Sequence, residues 1–255
     1  MTDLTPVLPG DPSAFAAPPA SWRPRIQALL EVAACSSAPT QVLISGVLLV
    51  AGMPSTGERG GLSLPFIVTV SLADTVLLVT LMVAFTRGRG ESVAELWLGG
   101  KPVLTEAWRG LALVPVAIVF MLSLILTLRA VAPWLRNVPL NPFEAFARGG
   151  TLEALTLGVV AIVAGGVREE LQRAFLLRRF ERHVGGATVG VVVTSVAFGA
   201  AHALQGWDAA VVTGALGAFW AVLYLRRRSS IAPMACHAGF NALEVLAVAL
   251  GTATV

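Results

Sequence analysis

Charge is what this sequence has least of. Only 13% of its 255 residues are Asp, Glu, Lys or Arg, against roughly a quarter in an average soluble domain. The scarcity, together with 56% hydrophobic residues and a mean hydropathy of +0.78, excludes a water-soluble globular protein and predicts an integral membrane protein. Cysteine is also scarce. Cys35 and Cys236 lie in separate apolar stretches with no CxxC spacing, which excludes a zinc ribbon or redox pair and leaves packing as their role. No basic face is present either. The net charge of +3 comes from 18 Lys and Arg scattered between apolar runs, so nucleic acid is not an expected partner. The opening Met1-Thr2-Asp3-Leu4-Thr5-Pro6 has no basic segment ahead of an apolar core, which predicts no cleavable signal. No fixed-period repeat is visible, and the two halves differ in character, which argues against the inverted repeats of many transporters.

What the sequence does contain is apolar runs of membrane length, since about 20 residues cross a bilayer. They fall at 38–53, 63–86, 111–133, 152–177, 187–205, 209–225 and 231–250. The expected fold is therefore an all-α, polytopic transmembrane helix bundle of about seven spans plus interfacial amphipathic helices. Three parts are predicted: a flexible Pro/Ala-rich tail over 1–24, a membrane scaffold over 25–150, and a second helix bundle over 151–255 that carries the polar motifs. Residues 91–110 mix charge and tryptophan with leucine and suit an interfacial helix. Asp74 stands mid-span, where an ionised group is costly, and reads as a structural hydrogen-bonding group facing the bundle. Cytoplasmic loops retain basic residues. Alternate loops hold twelve Lys and Arg on one side and four on the other, which predicts a cytoplasmic N-terminus and an external C-terminus in a membrane of the bacterial inner-membrane kind.

Polar anomalies concentrate in the second half. Arg168-Glu169-Glu170-Leu171-Gln172-Arg173 puts four ionisable residues in six positions of one span. Two neighbouring carboxylates in low dielectric cannot both ionise cheaply without a cation, and one becomes a candidate acid or base. Arg173, four residues after Glu169 and three after Glu170, shares their helical face and can supply that cation. The bland reading is a charged helix end snorkelling to the headgroups beside Arg178 and Arg179. Phe198-Gly199-Ala200-Ala201-His202 places an imidazole next to small residues that permit close backbone approach. His237-Ala238-Gly239-Phe240-Asn241 puts an imidazole and a carboxamide on one face. Each histidine alone is more often structural than catalytic, but two in separate apolar spans are expensive and point to function. His183, in a basic loop, reads as ordinary surface. From the face marked by Arg178, Thr188 and Ile231, a rise of ~1.5 Å per residue puts Glu169, His202, His237 and Asn241 at depths of about 14, 21, 9 and 15 Å. These four can converge near mid-membrane. Together they could activate a water and hold an oxyanion, or bind a divalent metal such as zinc through Glu169, His202 and His237.

At these residues the sequence resembles the CPBP family, also called the Abi or type II CAAX protease family, of intramembrane endopeptidases. Its pattern is a Glu-Glu pair followed by Arg, then Phe-x-x-x-His, then His-x-x-x-Asn. Phe198 with His202 and His237 with Asn241 match fully, and the likeness spans roughly 150–245. The first element departs: two residues separate Glu170 from Arg173, where the family has three. Registering on the glutamates keeps Glu169 as catalytic carboxylate with Glu170 as its partner, whereas registering on Arg173 would put Arg168 in the catalytic slot.

The resemblance implies hydrolysis of a membrane-associated substrate, a prenylated CAAX-type tail being one candidate. Glu169 and His202 would activate water, His237 and Asn241 would hold the oxyanion, and Glu170 and Arg173 would orient the base. Family members are commonly labelled metalloendopeptidases, yet this residue set could also act without metal. The implied partners are the lipid bilayer and a membrane-bound peptide or protein. The rival readings are a non-catalytic interaction protein of the same family and a proton-coupled transporter.

Overall fold

A computed structural model describes residues 22–57, 61–139 and 141–251. Most of the predicted tail, residues 1–21, lies outside the described residues. Its last three residues open the first helix instead.

Among the described residues the chain is helical, with one isolated bridge between Thr56 and Leu62. Helices α1 (Trp22–Ala34) and α2 (Ala38–Val50) meet at a 42° bend. Ser37 at that bend has a φ of 69°. Helix α3 (Leu64–Gly88) starts where the Ser63 side chain accepts a bond from the Phe66 N–H and Pro65 occupies the first turn, both ordinary N-terminal devices. Short helices α4 (Val93–Leu98) and α5 (Val103–Ala112) lead into α6 (Val114–Val131), and α7 (Glu144–Ala147) follows a non-helical link. Helices α8 (Thr151–Val160) and α9 (Glu169–Arg179) form one continuous rod through a π-helical segment, Ala161–Arg168. Helices α10 (Ala187–Ala201), α11 (Trp207–Arg227) and α12 (Ile231–Ala249) complete the bundle.

Five helical stretches are long and apolar enough to cross a membrane, six if the bent α1–α2 pair counts as one crossing. The expected 187–205 run is shorter than its hydropathy suggested: α10 has 15 residues and stops at Ala201, so His202 lies on a turn. The 91–110 stretch is broken between α4 and α5, and α5 packs along α12: a Cβ at Gly110 would strike the Ala232 carbonyl. Much of the exterior is aliphatic, with Val50 91%, Leu152 78% and Val42 72% exposed. Such a surface suits hydrocarbon rather than water, because helices satisfy their own backbone and need only apolar side chains outside.

The interior is assembled pairwise. Val114, Ala117 and Ile125 of α6, Val212, Leu216 and Trp220 of α11, and Cys236 and Phe240 of α12 form the largest apolar core. Cys35, Leu78, Met82, Leu96 and Phe175 form a second one. Both cysteines are thus free and buried. Small residues join α10 to α11: a Cβ on Gly199 would come within 2.5 Å of the Ala210 carbonyl. That contact holds the His202 turn beside α11.

Candidate active site

The π-helical segment fixes the geometry of the site. Its bonds run from residue i to i+5, and such insertions often occur at functional positions. Glycines make its contact with α12 close. A Cβ on Gly165 would come 2.6 Å from the Asn241 amide nitrogen, and one on Gly166 would come 2.6 Å from Ala238. The Asn241 Nδ2 donates to the Ala161 carbonyl at 2.9 Å. The α12 residues His237 and Asn241 are therefore held directly against the helix that carries the glutamates.

The two glutamates have different surroundings. Glu170 is buried, and its Oε1 accepts bonds from Arg173 Nη1 and from His237 Nδ1, the latter at 2.8 Å. Glu170 Oε2 is buried with no hydrogen-bond partner. Glu169 is less enclosed and has Arg168 Nη2 at 3.7 Å. The i, i+3 relation thus joins Arg173 to Glu170. Arg173 also faces the Phe198 ring, 4.7 Å from its centroid, and the Trp220 ring at 5.8 Å, where aromatic faces favour a cation.

Both histidines have one nitrogen committed. His237 stacks on Trp220 with ring centroids 3.7 Å apart and 15° between planes. A carboxylate can only accept, so His237 carries its proton on Nδ1 and turns Nε2 away from Glu170. His202 Nδ1 lies 2.8 Å from the Phe198 carbonyl, which likewise can only accept. In neutral His202 the Nε2 lone pair is therefore available. The Phe198 ring meets both imidazoles edge-on, at 4.7 Å from His202 and 6.1 Å from His237.

Glu169, His202, His237 and Asn241 line one cavity of about 330 Å³. It extends between α6, α8, α11 and α12 to the bundle end formed by Asn141, Phe143 and Gln205, and Asn141 Nδ2 donates to Gln205 Oε1 at 3.5 Å. The volume is at the lower end of the range for ligand pockets, about 300–1,000 Å³.

Several contributors were not visible in the sequence pattern. Gly165, Gly166 and Trp220 shape the site from positions that carry no reactive group. Arg168 is another. Its Nη1 donates to Ser37 Oγ at 2.9 Å and to Gln172 Oε1 at 3.0 Å, and its Nη2 lies 3.8 Å from Asp74. Gln172 Nε2 donates to the Cys35 carbonyl at 2.6 Å. The α1–α2 bend is thereby tied to the glutamate helix. Asp74 also accepts from Thr40 Oγ1 at 2.5 Å and Gln41 Nε2 at 3.3 Å, a buried structural acceptor. His183 is less isolated than its loop position suggested, for it accepts from Arg89 Nη1 at 3.1 Å.

Among the described residues, no three His, Cys, Asp or Glu side chains are arranged to hold a metal ion. Glu169, His202 and His237, the ligand set read from the sequence, do not converge as one. This donor arrangement does not fit a resident metal ion.

The fold and site thus define an all-α membrane bundle with a carboxylate–imidazole centre facing an internal cavity. Residues 151–243 match the family model described as type II CAAX prenyl endopeptidase Rce1-like. The match covers 93 of the 255 residues and supports, at family level, a CAAX-type intramembrane protease of the CPBP kind. No curated protein and no solved structure matches the chain.

Proposed function

We propose that the protein is an intramembrane endopeptidase that hydrolyses a peptide bond of a membrane-associated substrate, CAAX-type tails included, with a water activated by Glu169 and His202. The observation that carries this reading is the shared cavity: Glu169, His202, His237 and Asn241 all line it, and two of them bear groups with free valence. The His202 Nε2 lone pair accepts a proton from water while Glu169 orients the attacking oxygen. The new C–O bond turns the carbonyl into a tetrahedral oxyanion. Asn241 retains one amide hydrogen beyond its bond to the Ala161 carbonyl and donates it to that oxygen. His237, in its imidazolium form, donates from Nε2 to the same oxygen. As the C–N bond breaks, the proton held on His202 passes to the leaving amine, and the products are a carboxylic acid and an amine. Glu170 and Arg173 touch no substrate here: they position His237.

Exclusion of bulk water makes such fixed donors worth more than in solution. The glycines of the π-helical segment serve this directly, by letting Asn241 reach the helix that carries the base. The test is cleavage of a membrane-peptide library, CAAX-type tails included, by purified protein in detergent. Wild type is compared with Glu169→Ala, Glu170→Ala and His202→Ala, each with and without chelator. Chelator-insensitive cleavage that disappears in the Glu169 and His202 variants is the expected result. Peptide binding without cleavage by wild type would instead make the protein a non-catalytic member of its family.

A further inference from the structure

The steps above employ four residues of the cavity wall, and Glu244 is not among them. Glu244 lines the same cavity. It lies on α12 three residues after Asn241 and seven after His237, on the same helical face. The side chain is partly buried and, among the described residues, makes no hydrogen bond or ion pair.

Its isolation stands out against the other charges of the wall. Arg129 is paired with Asp208 at 3.0 Å, and Glu144 with Arg148 at 3.3 Å. Arg168 lies between Asp74 and Glu169, at 3.8 and 3.7 Å. Glu244 alone among these carboxyl groups has no counter-charge from the protein. An unpaired, partly buried carboxylate is costly, and the cost falls when the cavity's occupant brings a cation. The residue also lies just past the segment that matches the family model, which ends at 243. It is therefore a feature of this chain outside the matched segment.

We infer that Glu244 is a specificity-determining residue, which binds a lysine or arginine side chain of the substrate within two residues of the cleaved bond. This rests on the proposed peptidase reading. Three helical residues separate Glu244 from Asn241 by about 4.5 Å along α12, and an extended peptide advances about 3.3 Å per residue. With the reacting carbonyl at Asn241, Glu244 faces a side chain one or two positions away. A partly desolvated carboxylate holds an ammonium or guanidinium group there and discriminates against neutral and acidic side chains.

The test scans the two positions on each side of the cleaved bond with lysine, norleucine and glutamate. The proteins are wild type, Glu244→Gln and Glu244→Lys. At one position wild type should favour lysine over norleucine by about tenfold in kcat/KM, the scale of one partly buried charge pair. The ratio should fall to about one in Glu244→Gln, and Glu244→Lys should favour glutamate, by the same reasoning. A ratio that persists in both variants, or rates that fall equally for all three side chains, overturns the assignment. Fluorescence anisotropy of the same peptides bound to Glu169→Ala protein, with and without Glu244→Gln, separates this inference from the catalytic reading. A lysine preference in binding that depends on Glu244 upholds the subsite even if wild type cleaves nothing. Binding that is indifferent to peptide charge refutes it.

Discussion

Arg179 and Glu170 stand on the same helix, about two and a half turns apart, and both belong to buried clusters of opposite charge. Around Arg179 every carboxylate is shared between two arginines. Glu31 takes Arg179 at 2.5 Å and Arg89 at 2.8 Å, and Glu91 takes Arg179 and Arg182, each at 3.0 Å. Around Glu170 one oxygen takes both Arg173 and His237, while the other is buried with no partner. Burial of charge is common to the two clusters and so identifies neither as a reactive site. What distinguishes the second is unspent valence on an imidazole and an amide that open to a cavity. The first cluster closes the helix ends against one another and holds α1, α3 and α9 together.

The comparison is sharpest if the two clusters fail in different ways. Glu169→Ala and His202→Ala should each lower kcat/KM by about 10²–10⁴-fold, the usual worth of general acid–base assistance, with the thermal midpoint in detergent unmoved. Full activity in either variant would break the assignment of that residue to the reaction. Arg179→Met should do the reverse. Removing the arginine leaves Glu31 and Glu91 each with one partner fewer in a buried setting, and breaking such a pair costs about 3–5 kcal/mol. Unfolding in detergent should register that loss, whereas kcat per folded molecule should stay at the wild-type level.

The third test lies between chemistry and packing. Gly166→Ala puts a Cβ within 2.6 Å of Ala238, so α12 must move away from the π-helical segment and take His237 and Asn241 with it. Misplacement by about 1 Å can cost about a hundredfold in rate, and that is the loss expected here. Gly46→Ala is the control, because a Cβ there has nothing within 4 Å. Equal activity in the two variants would show that the glycine contact does not position the site.

How much of this could be read without a structure depends on the range of the signal. Helical spacing alone joined Arg173 to Glu170 and set His237 and Asn241 on one face. Composition alone required a membrane, and the small residues around Gly199 announced a close helix contact. The different surroundings of Glu169 and Glu170 were not legible in the spacing, because the 161–168 segment is π-helical and changes the phase at which the pair meets α12. Hydrophobic periodicity does not register that change. The depth estimate treated the 187–205 run as one straight span, yet α10 ends at Ala201, and His202 sits on a turn stabilised by the Phe198 carbonyl. Trp220 against His237, and Arg168 against Ser37 and Asp74, join residues far apart in sequence. No local pattern encodes such pairs.

Acid provides the smallest and most selective way to separate the two clusters. Burial acts to raise the Glu91 carboxyl, but the hydrogen bond and charge of Arg179, with Arg182 and Arg178 nearby, outweigh it and hold the group below its ordinary value of 4.5. A carboxylate whose pKa is lowered by folding contributes stability that is fully present above its unfolded pKa and is lost as pH falls through the folded one. Thermal stability should therefore be flat above about pH 5 as far as Glu91 is concerned, and should decline below its ordinary range. In Glu91→Gln that part of the acid decline should vanish while the neutral-pH midpoint drops, because the amide cannot pair with Arg179 as an anion does. Glu91 lies in the link between α3 and α4 and lines no part of the cavity, so the pH profile of cleavage per folded molecule should match that of wild type. A shift in that profile would mean that the closed ionic cluster and the open site titrate as one unit, and the contrast drawn between them would fall.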